Sequence, residues 1–149
     1  MRLTRFTDYS LRVLMYLAAR RDGHATISEI AAAFAISESH LTKVVHFLGK
    51  QGLLNNTRGR GGGIKLGGPA GSINLGALVR AAEAGTALVE CFDPCTNRCV
   101  ITPVCRLRSV LTEAKEALYA TLDRYTLEDI TQDKRRLQKT LESARSVRR

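Results

Sequence analysis

Two helix-start signals in quick succession, followed by a glycine-rich turn between short apolar runs, constrain this chain more than any other feature. Thr26 with Glu29 three residues on forms a capping-box pattern opening a short helix to about Phe34. Ala35-Ile36 make the turn, Ser37 is a good N-cap for a helix to about Lys50, and Gly52 stops it. Leu53-Leu54 then begin a strand, Gly59-Arg60-Gly61-Gly62-Gly63 turns it, and Ile64-Lys65-Leu66 returns. A first helix over about Thr7 to Arg21, with Leu11, Leu14, Met15 and Ala18 on one stripe, precedes them. Short capped helices joined by a tight turn, then a hairpin with a basic tip, describe a winged helix-turn-helix.

In that arrangement the N-terminal side chains of the second helix reach base edges. Here these are Ser37, Glu38, Ser39, His40, Thr42 and Lys43, a set suited to mixed base and phosphate contacts. On the wing, Arg58 and Arg60 flank glycines that allow close approach to a narrow groove, and Lys65 lies on the return strand. Any three-helix domain has capped helices, so the charge distribution matters. Residues 1–67 carry ten Lys/Arg against four Asp/Glu, residues 68–131 six against eight, and residues 132–149 seven against two. A basic head on a near-neutral support fits a polyanion partner.

Beyond Gly67-Gly68-Pro69 a fourth helix spans about Leu75 to Ala84, and the chain is then irregular to Pro103. A long helix follows, about Pro103 to Arg124, with Leu107, Val110, Leu111, Ala114, Ala117, Leu118, Thr121 and Leu122 on one face. At 1.5 Å per residue it measures roughly 33 Å. Its stripe needs a second surface, which a twin copy supplies most simply. The organisation read from the sequence is therefore mainly α. A winged helix-turn-helix occupies residues 1–68, a loop and long dimerisation helix 69–131, and a flexible basic tail 132–149.

The cysteines are spaced Cys91-x3-Cys95-x3-Cys99-x5-Cys105. No Cys-x2-Cys knuckle marks a structural zinc site. No run approaches the roughly 18–20 apolar residues of a membrane span, and Arg5, Asp8 and Arg12 interrupt any signal-peptide core. A cytoplasmic location, with no membrane partner, is the expectation, and there thiols bind metals or act in redox more often than they form disulfides. Spacing alone leaves an iron–sulfur cluster, zinc and a thiol–disulfide switch open. No nucleophile–base pair or phosphate loop suggests an enzyme.

Three stretches carry a resemblance. They are Met1-Arg2-Leu3-Thr4-Arg5-Phe6-Thr7-Asp8-Tyr9-Ser10-Leu11-Arg12, the wing from Arg58 to Leu66, and Cys99-Val100-Ile101-Thr102-Pro103-Val104-Cys105-Arg106-Leu107, with Leu122 to Leu127 in support. Over about residues 1–131 the chain resembles the bacterial iron–sulfur winged-helix transcription regulators, and within them the nitric-oxide-sensitive repressors. The resemblance implies a homodimer on a palindromic operator, an iron–sulfur cluster ([4Fe–4S] in preference to [2Fe–2S]), and release of DNA when nitric oxide attacks the iron. It places the cysteine ligands on Cys91, Cys99 and Cys105. It implies Asp8 of the partner subunit as the fourth ligand; Arg12, one turn further along the same face, is placed to pair with Asp8. Cys95 falls outside that set and permits a four-cysteine site leaving Asp8 free. Gly61 stands where such wings commonly carry asparagine. The alternatives are an iron-responsive repressor of the same family, a small electron-transfer protein and a structural zinc module.

Overall fold

The computed structural model describes residues 2–57 and 62–146, with side chains to residue 143. Helix α1 spans Arg5–Ala19, earlier than the sequence predicts, because Thr4 is its N-cap and accepts a hydrogen bond from the Thr7 amide. It ends at Ala19, ahead of a turn in which Gly23 takes a positive φ of 68°. Helix α2, Ile27–Phe34, opens on the predicted capping box, with both reciprocal bonds between Thr26 and Glu29 made. Ala35 caps it in the left-handed region at φ 54°. Helix α3, Glu38–Lys50, starts from Ser37, whose hydroxyl accepts the His40 amide.

The wing is built on strands β2, Leu54–Thr57, and β3, Gly63–Leu66, paired antiparallel with Asn55 opposite Lys65. A two-residue strand that the sequence does not announce, β1, His24–Ala25, adds to the other edge of β3, giving the order β1-β3-β2. Gly67 closes the base of the wing. A Cβ there would sit 2.1 Å from the Gly52 carbonyl oxygen, so only glycine permits this approach.

Helix α4 spans Leu75–Ala82 and helix α5 Arg106–Leu122. The long helix is shorter than predicted at its start, because Thr102–Val104 forms a 3-10 turn and Cys105 is extended, at φ −78° and ψ 106°. A sixth helix, α6, covers Lys134–Ser146. Most of the described part of the stretch predicted as a flexible tail is therefore helical, and this helix packs on α1 and α2. Leu141 joins the margin of the core there.

One apolar core unites the first three helices: Leu14 and Leu17 from α1, Ile30 from α2, and Leu41, Val44 and Leu48 from α3 are buried together. Ile73, Leu78 and Leu127 join the same cluster, so the segment beyond the wing shares that interior. α5 differs, for none of its residues is buried within the chain. Among the described residues no helix is long and apolar enough to cross a membrane.

Candidate nucleic-acid interface and metal-ligand loop

The first turn of α3 presents Ser37, Ser39, His40, Thr42 and Lys43 outward, all exposed, while Leu41, Val44 and Val45 turn into the core. That split follows from the helical period, since residues three and four apart share a face. Ser37 and Ser39 hydroxyls lie 3.3 Å apart, and the Thr42 hydroxyl donates to the Glu38 carbonyl at 2.8 Å. Thr42 thus offers an acceptor outward while its proton is held on the helix. His40 lies against Tyr9 of α1, ring centroids 6.4 Å apart. Lys65 is exposed on β3, at the same end of the sheet as Asn55 and His24. Arg58 and Arg60, together with Gly61, lie outside the described residues.

Asp8 and Arg12 pair as predicted. Arg12 Nε donates to Asp8 Oδ1 at 2.9 Å, and its terminal nitrogen lies 2.8 Å from Oδ2. Both side chains are about half exposed, so the pair steers geometry more than it stabilises. Arg12 also lies over the Phe34 ring, 5.7 Å from its centroid, at the end of α2. Asp8 therefore sits on a helix in contact with both α3 and the end of α2.

All four cysteines are free thiols; Cys91, Cys99 and Cys105 are half-buried, whereas Cys95 is exposed. Cys91 lies in the short turn Glu90–Phe92, and Cys105 is the N-cap of α5. Side chains brace the loop in place of regular structure. Asp93 accepts the Cys95 amide at 2.9 Å and the Thr96 hydroxyl at 2.7 Å, and those two donors hold its carboxyl below the ordinary range. Asn97 accepts the Cys99 amide at 3.0 Å, and the Thr102 hydroxyl donates to the Cys99 carbonyl at 2.7 Å. The Lys115 ammonium over the Phe92 ring, at 5.3 Å, fastens the loop to α5.

Thiols are the donor type that a soft-metal group takes, and three half-buried ones lie on this one braced loop. Among the described residues, no three His, Cys, Asp or Glu side chains form a ready cage for a single ion. Beside the loop, Val100 and Val104 are almost fully exposed, continuing into Leu107 and Val110 on α5. An apolar patch of that kind marks an interaction surface.

Five residues to which the sequence assigns no role tie the elements around the loop together. Glu83, the C-cap of α4, accepts hydrogen bonds from Thr4 and Thr7 at the start of α1. One turn earlier on α4, Arg80 makes two 2.6 Å bonds to Asp123, just past α5. The Arg80 guanidinium holds the Asp123 carboxyl below its ordinary range. Only Thr4-x-x-Thr7 carried a local signal, as an N-cap pattern one turn ahead of the predicted start.

The chain is 50% identical over 142 residues to the HTH-type transcriptional regulator NsrR of Bacillus subtilis, covering 95% of this chain and 97% of that protein. It is 49% identical over 146 residues to the regulator of the same name from Geobacillus kaustophilus, covering 97% and 99%. An alignment of that length takes in part of the basic C-terminal stretch, beyond the residues 1–131 that carry the resemblance. Among solved structures, CymR of B. subtilis superposes with a TM-score of 0.67 at 25% identity, covering 89% of this chain and 97% of that one. IscR of T. potens superposes with a TM-score of 0.70 at 23% identity, covering 89% and 88%, a likeness of fold alone. Residues 3–133 match the Rrf2 family, and the chain belongs to that family of iron-dependent transcriptional regulators.

Proposed function

We propose that this chain is a homodimeric transcriptional repressor that holds a palindromic operator in double-stranded DNA and releases it in response to nitric oxide. Cys91, Cys99 and Cys105 would hold an iron–sulfur cluster, [4Fe–4S] rather than [2Fe–2S], with Asp8 of the partner subunit as fourth ligand. The observation that carries this reading is the braced loop of three half-buried free thiols in a chain that also exposes a polar recognition helix. When bound, the cluster supplies iron that nitric oxide can attack.

The chain's own residues do the rest. Arg12 holds both carboxylate oxygens of Asp8 and so fixes the direction in which that side chain leaves α1. A carboxylate matches iron–sulfur less well than a thiolate does, so Asp8 would be the weakest of the four ligands. Because Tyr9 rests on His40 and Arg12 on Phe34, a shift of α1 moves the recognition helix. Two such helices must stand about 34 Å apart to read half-sites one turn apart, and a small rotation breaks that register. α5, with none of its residues buried, offers the apolar surface for the second copy.

The test begins with protein purified without air and duplexes that it selects from a random pool. A brown chromophore whose bleaching by nitric oxide parallels loss of the selected DNA is the expected result. Colourless, zinc-loaded protein that binds equally well with and without nitric oxide refutes the reading. The family's iron dependence favours iron status as the second reading. Release on treatment with an iron chelator, with no response to nitric oxide, would establish it.

A further inference from the structure

We infer that Glu83 is a positioning residue, the joint through which the state of the cysteine loop reaches the helix that carries Asp8. One carboxylate oxygen, Oε1, accepts three hydrogen bonds from a segment remote in sequence. The Thr4 amide donates at 2.8 Å, the Thr4 hydroxyl at 2.9 Å, and the Thr7 hydroxyl completes the set. Thr4 is the N-cap of α1, Thr7 is fully buried in its first turn, and Asp8 is the next residue. The Glu83 carbonyl accepts the Thr86 amide at 2.9 Å, where the loop toward Cys91 begins.

α4 is thus a strut of eight residues held by ionic or charge-assisted bonds to both its neighbours. Arg80 clamps Asp123 and lies over the Tyr119 ring at 4.7 Å, fixing α4 to α5. Glu83 fixes it to α1. Bonds to a carboxylate are about twice as strong as neutral ones, and the charge faces the positive end of the α1 dipole. Three donors converging on one atom cannot slide as apolar contacts do, so a displacement of the loop root carries α1 with it. From α1 the contacts continue without a gap to the reader: Phe6 on Phe47 at 5.1 Å, Tyr9 on His40, and Arg12 on Phe34.

This inference rests on the proposed cluster reading, and the experiment separates the two. Glu83→Ala, Glu83→Gln and Thr7→Val full-length proteins are purified without air. Each is measured for visible absorption and for its dissociation constant on the wild-type-selected duplex, before and after nitric oxide. The wild-type ratio of those constants is the coupling, roughly 5- to 150-fold in systems of this kind. Glu83→Ala and Thr7→Val should keep the absorption while the ratio collapses toward one. Glu83→Gln, which keeps an acceptor oxygen without the charge, should restore part of it. Wild-type ratios in both Glu83→Ala and Thr7→Val overturn the inference. Loss of absorption in either overturns it too, because the residue then builds the site instead of relaying its state. Wild-type protein with no absorption, or no response to nitric oxide, removes the underlying reading and the inference with it.

Discussion

Replacing Leu107 by alanine should weaken the dimer far more than it weakens the fold. Leu107 lies one residue into α5, is 62% exposed in the single chain, and continues an apolar patch with Val104 and Val110. Full burial of a leucine side chain contributes about 1.5–3 kcal/mol, so covering the exposed part contributes roughly 1–2 kcal/mol. In a two-fold dimer the same residue is covered twice, so the loss is about 2–4 kcal/mol, or roughly 30- to 700-fold in the dissociation constant. The folded monomer loses little, because substitutions away from the core usually shift stability by within about 0.5 kcal/mol. Sedimentation equilibrium gives the first quantity, and urea unfolding well below the dimer dissociation constant gives the second. A dimer constant within about threefold of wild type would remove α5 from the interface, and with it the half-site geometry.

Lys43→Ala should weaken DNA binding without changing the chromophore. If Lys43 meets a phosphate, the slope of log affinity against log salt should fall by about one for each copy bound; unchanged affinity would mean that the reading face lies elsewhere. Cys99→Ala should abolish the chromophore, whereas Cys95→Ala should leave it nearly intact, given that Cys95 is exposed and Cys99 half-buried. A Cys95→Ala protein unable to hold iron would establish four-cysteine ligation. In a mixed dimer, one chain carries Asp8→Ala and the other lacks Cys91, Cys99 and Cys105. It should form one normal site if ligation crosses the dimer, and should match the Asp8→Ala homodimer if it does not. Asp123→Asn should lower the melting temperature where Asp123 is ionised. Its carboxyl is held below the ordinary value of 3.8 by Arg80, so the stabilisation is fully present above that value and fades as pH falls through the lowered one. A difference between Asp123→Asn and wild type that persists undiminished in acid would refute the ionic clamp.

What the sequence determined by itself is local. Thr26 with Glu29, Ser37, and Gly52 at φ 70° are punctuation marks whose effect reaches one turn, and each acts in the fold where the sequence put it. The periodic apolar positions of α1 and α3 likewise chose the buried faces, because a helix repeats every 3.6 residues whatever it packs against. Cysteine type and spacing left metal binding and thiol–disulfide chemistry both open and placed no ligand.

Tertiary structure decided the rest, where no local pattern exists to be read. Two residues are too few to show a period, so β1 forms only because β3 offers an open edge. α6 has a low mean hydropathy for a packed helix, and its few apolar residues, Leu137 and Leu141, meant little until α1 and α2 supplied a surface. Glu83 reads as an ordinary acid at a helix end; its meaning comes from Thr4 and Thr7, 79 and 76 residues away. A hydrogen-bond joint between remote segments depends on the folded path of the chain, and only the assembled core brings its two halves within 3 Å.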